Sequence, residues 1–313
     1  MRGPGIVPSI IAHRGASAYL PEHSLAAKAL AYGMGADFLE QDVVASRDGE
    51  LLVLHDLFLD AVSDVVDKFP TRARANGHFY CIDFDLDEIH TLNFGERLDP
   101  VTGELRYAGR FPRKAGMFRV VTLRQEIRFV QSLNKATGRR VGIYPELKHA
   151  VWHREQGIDL TEKVLELLDH CGYLTRGGDP VFLQCFDPDE LKQVRKSVGP
   201  GLPIIQLLDS KTDVDIQLLH EISEYAAGIG PSIKLIYRGK SEDGEPQLSN
   251  LVEAAHLAGL VVHPYTFRAD DLPPGIDSFD ELLELFIRTL RIDGIFTDFT
   301  DRVAEFRQRG ISP

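Results

Sequence analysis

Cysteine is scarce in this sequence. Three residues, Cys81, Cys171 and Cys185, are spread over 313 positions with no C-x-x-C spacing. That pattern excludes a zinc ribbon and a dithiol redox motif, and the odd count argues against a disulfide framework. Long apolar runs are missing too. No stretch approaches the roughly 18 apolar residues of a membrane-spanning helix, so stable membrane insertion is not expected. The opening residues Met1-Arg2-Gly3-Pro4 lead to His13-Arg14 without a signal-like apolar segment. The expected location is therefore cytoplasmic for the chain as written, and periplasmic if a leader has been removed. Positive charge is the minority sign, with 35 Lys and Arg against 47 Asp and Glu and a formal net charge of −12. Nucleic acid is not expected as a partner, because it needs clustered positive charge. An anionic substrate would need a local cationic site, built from arginine, lysine or a metal. No repeat of fixed period and no low-complexity tract occurs, and nothing indicates the oligomeric state.

What remains is an ordinary globular composition, 43% hydrophobic and 26% charged. Along the chain a rhythm recurs: a short apolar run, a polar residue, a loop, then an amphipathic helix. The runs are Ser9–Ala12, Phe38–Val43, Leu51–Leu54, Val141–Ile143, Val181–Leu183, Pro203–Leu208, Ala226–Ile229, Gly259–Val262 and Gly294–Phe296. Each is nearly continuous, as strands buried on both faces should be. Helix-start signals lie between them. Thr122 and Gln125 have capping-box spacing, Asp187-Pro188 places an acceptor before proline at the first helical position, and Ser278 and Glu281 repeat the box. Gly172, Gly199 and Gly259 sit where helices should stop. Alternating strands and helices imply parallel pairing with right-handed crossovers. About eight units predict an α/β fold, a TIM (β/α)8 barrel, as a single domain over 1–313. Residues 57–120 break the rhythm. A structureless loop of that length is improbable in a compact domain. The segment is read as an inserted subdomain with short elements of its own, such as a helix started by Asp85 and Glu88, that could wall the active site.

The chemistry lies in the polar residues that follow the apolar runs. His13 and Arg14 follow the first, Glu40 and Asp42 end the second, and His55 and Asp56 follow Leu51–Leu54. Glu146 and Lys148, Gln184, Gln206, His263 and Tyr265, and Asp298 hold the same place later in the chain. In a TIM barrel the C-terminal ends of the strands converge on the rim that holds the active site. Glu40 and Asp42 share one face of a strand, roughly 7 Å apart, and repel each other unless a cation lies between them. A lone carboxylate here could equally salt-bridge a helix. Glu146 as a third favours an all-oxygen site, which suits Mg2+ or Ca2+. A lone histidine is more often structural. Two on one rim beside carboxylates form an acid–base pair. Arg14 offers a planar fork for phosphate oxygens, and Lys148 a point charge for phosphate or a partner for the carboxylates. His23 is read first as a helix-start residue.

These residues carry a resemblance. His13-Arg14-Gly15-Ala16, Pro21-Glu22-His23-Ser24, Glu40-Gln41-Asp42 and Leu54-His55-Asp56 resemble the opening motifs of glycerophosphodiester phosphodiesterases. Tyr144-Pro145-Glu146-Leu147-Lys148, Leu183-Gln184-Cys185-Phe186, His263-Pro264-Tyr265-Thr266 and Phe296-Thr297-Asp298 continue it across almost the whole chain. Asp67-Lys68-Phe69-Pro70 and Gly109-Arg110-Phe111-Pro112 resemble the insertion of the longer, periplasmic-type bacterial branch. The chain departs from the pattern at His23-Ser24, where Asn-Thr is common, and at Thr300, where proline is common. The resemblance implies a TIM barrel with an inserted subdomain after the second histidine motif. It implies hydrolysis of glycerophosphodiesters, such as glycerophosphocholine and glycerophosphoethanolamine, to sn-glycerol 3-phosphate and an alcohol. His13 and His55 match the catalytic histidines. Glu40, Asp42 and Glu146 match the ligands of one divalent cation, Ca2+ or Mg2+. Arg14 and Lys148 match phosphate-side residues, and Gln184 and Tyr265 are assigned to substrate binding.

The sequence leaves open which histidine is acid and which base, and whether water or the neighbouring glycerol hydroxyl attacks first. His13 as acid and His55 as base is the working assignment. Two rivals on the same fold are a lysophospholipase D-type or phosphoinositide phospholipase C-type enzyme, and a non-catalytic binding protein. The first should need an apolar entry surface, and the insertion has Phe79-Tyr80 and Phe84 but no long apolar stripe. The second would be expected to have lost one of the five site residues. A sugar-phosphate isomerase barrel needs no histidine pair beside Glu-x-Asp.

Overall fold

Short apolar runs become strands here because helices cover one face of each and the barrel interior covers the other. The computed structural model describes residues 7–99, 101–112 and 118–309. Met1–Pro4 and Pro100 therefore lie outside the described residues. Among the described residues eleven strands form: β1 (Ser9–Ala12), β2 (Phe38–Ala45), β3 (Leu51–Val53), β4 (Gly142–Leu147), β5 (Leu183–Cys185), β6 (Ile204–Leu208), β7 (Gly228–Pro231), β8 (Tyr237–Lys240), β9 (Pro246–Leu248), β10 (Val261–Val262) and β11 (Gly294–Thr297). Eight of them pair in parallel in the order β10-β7-β6-β5-β4-β2-β1-β11. Asp293 N–H donates to Val262 O at 3.0 Å and Phe296 N–H to Pro264 O at 3.2 Å, drawing β11 against the β10 edge. The result is a nearly closed (β/α)8 barrel.

The run Leu51–Leu54 differs from expectation. It forms β3, which lies outside the ring and pairs antiparallel with β2, Val43 opposite Val53. The physical reason is the connection Ser46–Glu50, which permits a hairpin but is far too short for a parallel crossover. The antiparallel hairpin β8–β9 had no signal in the apolar pattern, because its residues are largely polar and exposed.

Side-chain alternation sorts the barrel strands. Leu39, Val43, Ile143 and Leu147 join the helix-facing core. Ile11, Tyr144, Ile205 and Phe296 form a separate cluster that fills the barrel interior. Gly142 is required there, since a Cβ would meet the Phe38 ring at 2.4 Å. Caps fix where helices begin. Thr122 and Gln125 bond reciprocally at the head of Leu123–Thr137, and the Asp187 side chain accepts from Asp189 N–H and Glu190 N–H at the head of Pro188–Val198.

Between β3 and helix Leu123–Thr137 the chain makes short helices Val65–Lys68, Cys81–Asp83 and Leu86–Ile89. Glu88 accepts from Asp85 N–H at 3.0 Å at the head of the last. Leu59, Val62, Phe79, Phe84, Ile89 and Phe94 form an apolar cluster that packs on Val44, Leu52 and Leu54. Burying each such side chain contributes about 1.5–3 kcal/mol, enough to order a segment with little regular structure.

Candidate active site

The turn after β1 sets the floor of the site. Arg14 adopts a left-handed conformation at φ 59°, an uncommon state for a residue with a Cβ. Its backbone N–H then donates to Glu40 Oε2 at 2.7 Å. Gly15 must follow, because at φ 89° a Cβ would lie 2.8 Å from the Ala27 carbonyl carbon. The Arg14 guanidinium turns back, with Nη1 3.0 Å from Glu22 and Nε 3.3 Å from Asp42.

β2 and β4 bring the carboxylates together. Asp42 and Glu146 are direct cross-strand partners, and Glu40 stands opposite Tyr144. Lys148 Nζ lies 2.8 Å from Glu146 Oε1 and 3.5 Å from Asp42 Oδ1. His23, left-handed at φ 60°, is 2.8 Å from Asp42 through Nε2. Burial raises the Asp42 carboxyl, yet the Lys148 and Arg14 charges and the His23 hydrogen bond help hold the group well below the ordinary range. Burial and the Asp42 charge push Glu40 well above it. Glu146 is pushed up to about 7, by burial first and Asp42 second, against the pull of Lys148. Three acids thus crowd one spot with a single ammonium among them, an arrangement that a divalent cation relieves. Ligand atoms of His23, Glu40 and Asp42 lie within 4.8 Å of one another, a group able to hold a metal ion. His23 Nε2 is committed to Asp42, however, which makes it an orienting partner for that carboxylate. Glu146 stands opposite Asp42 across β2 and β4 but is not one of that group.

Each of the two histidines is fixed by its own carboxylate. His13 Nδ1 is 2.6 Å from Asp298 Oδ1, and His55 Nδ1 is 2.5 Å from Asp56 Oδ1. Asp298 is braced by Arg268 Nε at 2.7 Å and Arg110 Nη2 at 2.8 Å. Asp56 is braced by Arg97, which also pairs with Glu22 at 2.6 Å. A carboxylate at Nδ1 selects the tautomer with Nδ1–H and leaves Nε2 for the cavity. Burial, then Arg14, lowers the His13 imidazole to about 4. Burial, Arg14 and Lys148 lower His55 to about 3. Both rings are neutral at pH 7 until an anion arrives.

The residues given catalytic, metal and substrate roles from the sequence line one cavity of about 950 Å3 at the strand C-termini: His13, Arg14, Glu40, Asp42, His55, Glu146, Lys148, Gln184 and Tyr265. Asp56, Gln206, His263 and Asp298, also read as strand-end polar residues, do not line it. Gln184 is buried with its Oε1 unpartnered, and the Tyr265 hydroxyl donates to Leu208 O at 3.0 Å. Sequence reasoning underweighted His23, although Pro21-Glu22-His23-Ser24 follows the first strand loop. It missed Arg97, Arg110 and Arg268 as braces. Asp56 and Asp298 were visible as strand-end acids, but not as histidine partners.

A charged cavity at the strand C-termini of a (β/α)8 barrel is the arrangement of barrel enzymes. The sequence model of the Glycerophosphoryl diester phosphodiesterase family matches residues 13–302. The chain belongs to that family. It is 37% identical to a glycerophosphodiester phosphodiesterase of Haemophilus influenzae, covering 95% of this chain and 89% of the relative. It is 34% identical to one from Treponema pallidum, covering 95% and 91%. Among solved structures, a putative glycerophosphoryl diester phosphodiesterase from Silicibacter pomeroyi shares the fold, with a TM-score of 0.74 at 21% identity and coverage of 99% and 97%. An Oleispira antarctica phosphodiesterase, solved with the product sn-glycerol-3-phosphate, shares it with a TM-score of 0.67 at 20% identity, covering 96% and 97%. Among the described residues, no helix is long and apolar enough to cross a membrane.

Proposed function

We propose that this chain hydrolyses glycerophosphodiesters to sn-glycerol 3-phosphate and an alcohol. His13 and His55 are the acid–base pair, and Glu40, Asp42 and Glu146 hold one divalent cation, Ca2+ or Mg2+. The observation that carries the reading is the convergence of two imidazoles, each anchored at Nδ1 by a separate carboxylate, on the cavity that also holds Arg14, Lys148 and the three acids. Both cations are hard, and the oxygen donors fit either. When bound, the cation supplies Lewis-acid stabilisation of the phosphoryl charge.

The residues of the chain do the rest. Arg14 and Lys148 face the phosphate oxygens, where negative charge builds during displacement. The substrate anion beside a neutral imidazole favours its protonated form. His13, steadied by Asp298, then donates a proton to the leaving alcohol oxygen. His55, held by Asp56, takes the proton from the attacking water or glycerol hydroxyl. Gln184 and Tyr265 bind the substrate from β5 and from the segment after β10. Residues 57–120 act as an inserted subdomain of the single 1–313 domain, delivering Arg97, Arg106, Tyr107 and Arg110 to the site.

The test is release of glycerol 3-phosphate from glycerophosphocholine and glycerophosphoethanolamine, followed by a coupled assay. His55→Ala should lower turnover by about 10²–10⁴-fold with unchanged circular dichroism. Near-normal turnover would remove His55 from the mechanism.

A further inference from the structure

A second pocket, about 260 Å3, opens beside both histidines on the side of the inserted segment. Glu96 in its wall is 3% exposed, and its Oε2 has no hydrogen-bond partner. The other acids of the wall are engaged. Glu22 pairs with Arg14 and Arg97, and Asp298 with His13, Arg110 and Arg268. Arg106 and Arg110 share the wall, yet they pair with Asp99, Asp270 and Asp298. A buried carboxylate oxygen without a donor is costly. Such an atom is tolerated where a ligand brings the donor. Burial, with the Glu22 charge second, pushes the Glu96 carboxyl up to about 7. Near neutrality it can both accept and donate, as an alcohol hydroxyl can.

The wall also selects against a quaternary ammonium. Among the described residues of the wall, Tyr107 is the one Phe, Tyr or Trp ring, and the Arg110 guanidinium already covers it at 3.8 Å from the centroid. A cation–π cage needs an open face, and this ring does not offer one on the side that Arg110 covers. Glu40, Asp42, Glu146, Lys148 and Gln184 line the large cavity and not this pocket. In an in-line displacement the attacking and leaving oxygens lie on opposite sides of phosphorus. With the glycerophosphate half placed beside the carboxylates, the leaving alcohol would point to the far side of phosphorus, toward the side pocket that His13 and His55 also line.

We propose that the side pocket is the leaving-alcohol subsite, shaped for a polyol such as glycerol or inositol, with Glu96 accepting a hydrogen bond from one of its hydroxyls. This rests on the phosphodiesterase reading above. The experiment measures kcat/KM for glycerophosphoglycerol, glycerophosphoinositol and glycerophosphocholine on the metal-supplemented full chain. The wild type should favour the polyol substrates about tenfold over the choline ester. Glu96→Gln, and Glu96→Met as a second variant of similar volume, should lower the polyol-to-choline ratio about tenfold, mostly through KM, with Tm retained. An unchanged ratio, or an equal loss on all three substrates, would overturn the proposal. A wild type that releases no glycerol 3-phosphate from any of them would instead overturn the phosphodiesterase reading itself.

Discussion

Replacing Asp298 by Asn tests how the site controls His13. The carboxylate accepts from Nδ1–H at 2.6 Å through Oδ1 and from Arg268 and Arg110 at 2.7 and 2.8 Å through Oδ2. Burial raises the Asp298 carboxyl, but Arg268, His13 and Arg110 hold it ionised. Asparagine keeps the shape and loses the charge. Its amide N–H2 can turn to Nδ1, which favours a neutral ring with its one proton on Nε2 and disfavours the doubly protonated ring that His13 needs as the acid. A hydrogen bond to a charged group is worth about 1.5–3 kcal/mol, or about 10–150-fold. The wrong tautomer in a comparable carboxylate–histidine pair costs about 10⁴-fold. The expected loss in kcat/KM is about 10²–10³-fold, carried mainly by kcat because His13 acts in the transition state. Asp298 also raises the His13 pKa against Arg14 and Arg268, so its removal should shift the limb belonging to the acid toward lower pH. Glycerol 3-phosphate release across pH, with Tm measured alongside, reads both effects. A folded Asp298→Asn enzyme with less than about fivefold loss and an unshifted profile would refute the reasoning.

Stability gives two further tests. Burial lowers the His263 imidazole from 6.5 to about 4. The unfolded chain then takes up a proton near 6.5 that the folded chain refuses until about 4, so stability should fall by about 3 kcal/mol as pH drops through that window. Urea midpoints at pH 7 and 4.5 should separate less in His263→Gln than in the wild type, and equal separation would contradict the argument. Lys28 and Glu126 form a fully buried pair at 2.9 Å. Glu126→Leu strands the ammonium and should cost about 3–5 kcal/mol, most of it recovered by adding Lys28→Met. A loss under about 1 kcal/mol in the single variant would count against that pairing.

The barrel was legible because strands buried on both faces leave nearly unbroken apolar runs, and because caps such as Thr122 and Asp187 mark where helices begin. Much of the candidate site was legible for the same reason, since several polar residues at the ends of apolar runs line one cavity, though Gln206 and His263 do not. Where a short connection overrides the pattern, as at Ser46–Glu50, an apolar run alone could not tell hairpin β3 from a barrel strand. His23 was underweighted because its role depends on a left-handed backbone aiming Nε2 at Asp42, and residue spacing carries no such information. Arg97, Arg110 and Glu96 stand in a segment without periodicity. The partners of Arg97 and Arg110, which are Glu22, Asp270 and Asp298, are distant in sequence, and only the fold joins them.

Release of glycerol 3-phosphate from glycerophosphocholine, followed through chelation and add-back, tests the carboxylate-held cation most directly. EDTA should abolish the activity and Mg2+ or Ca2+ should restore it, while Asp42→Asn protein should stay inactive after add-back. Full activity in excess EDTA, with no tightly held metal found by elemental analysis, would contradict the account.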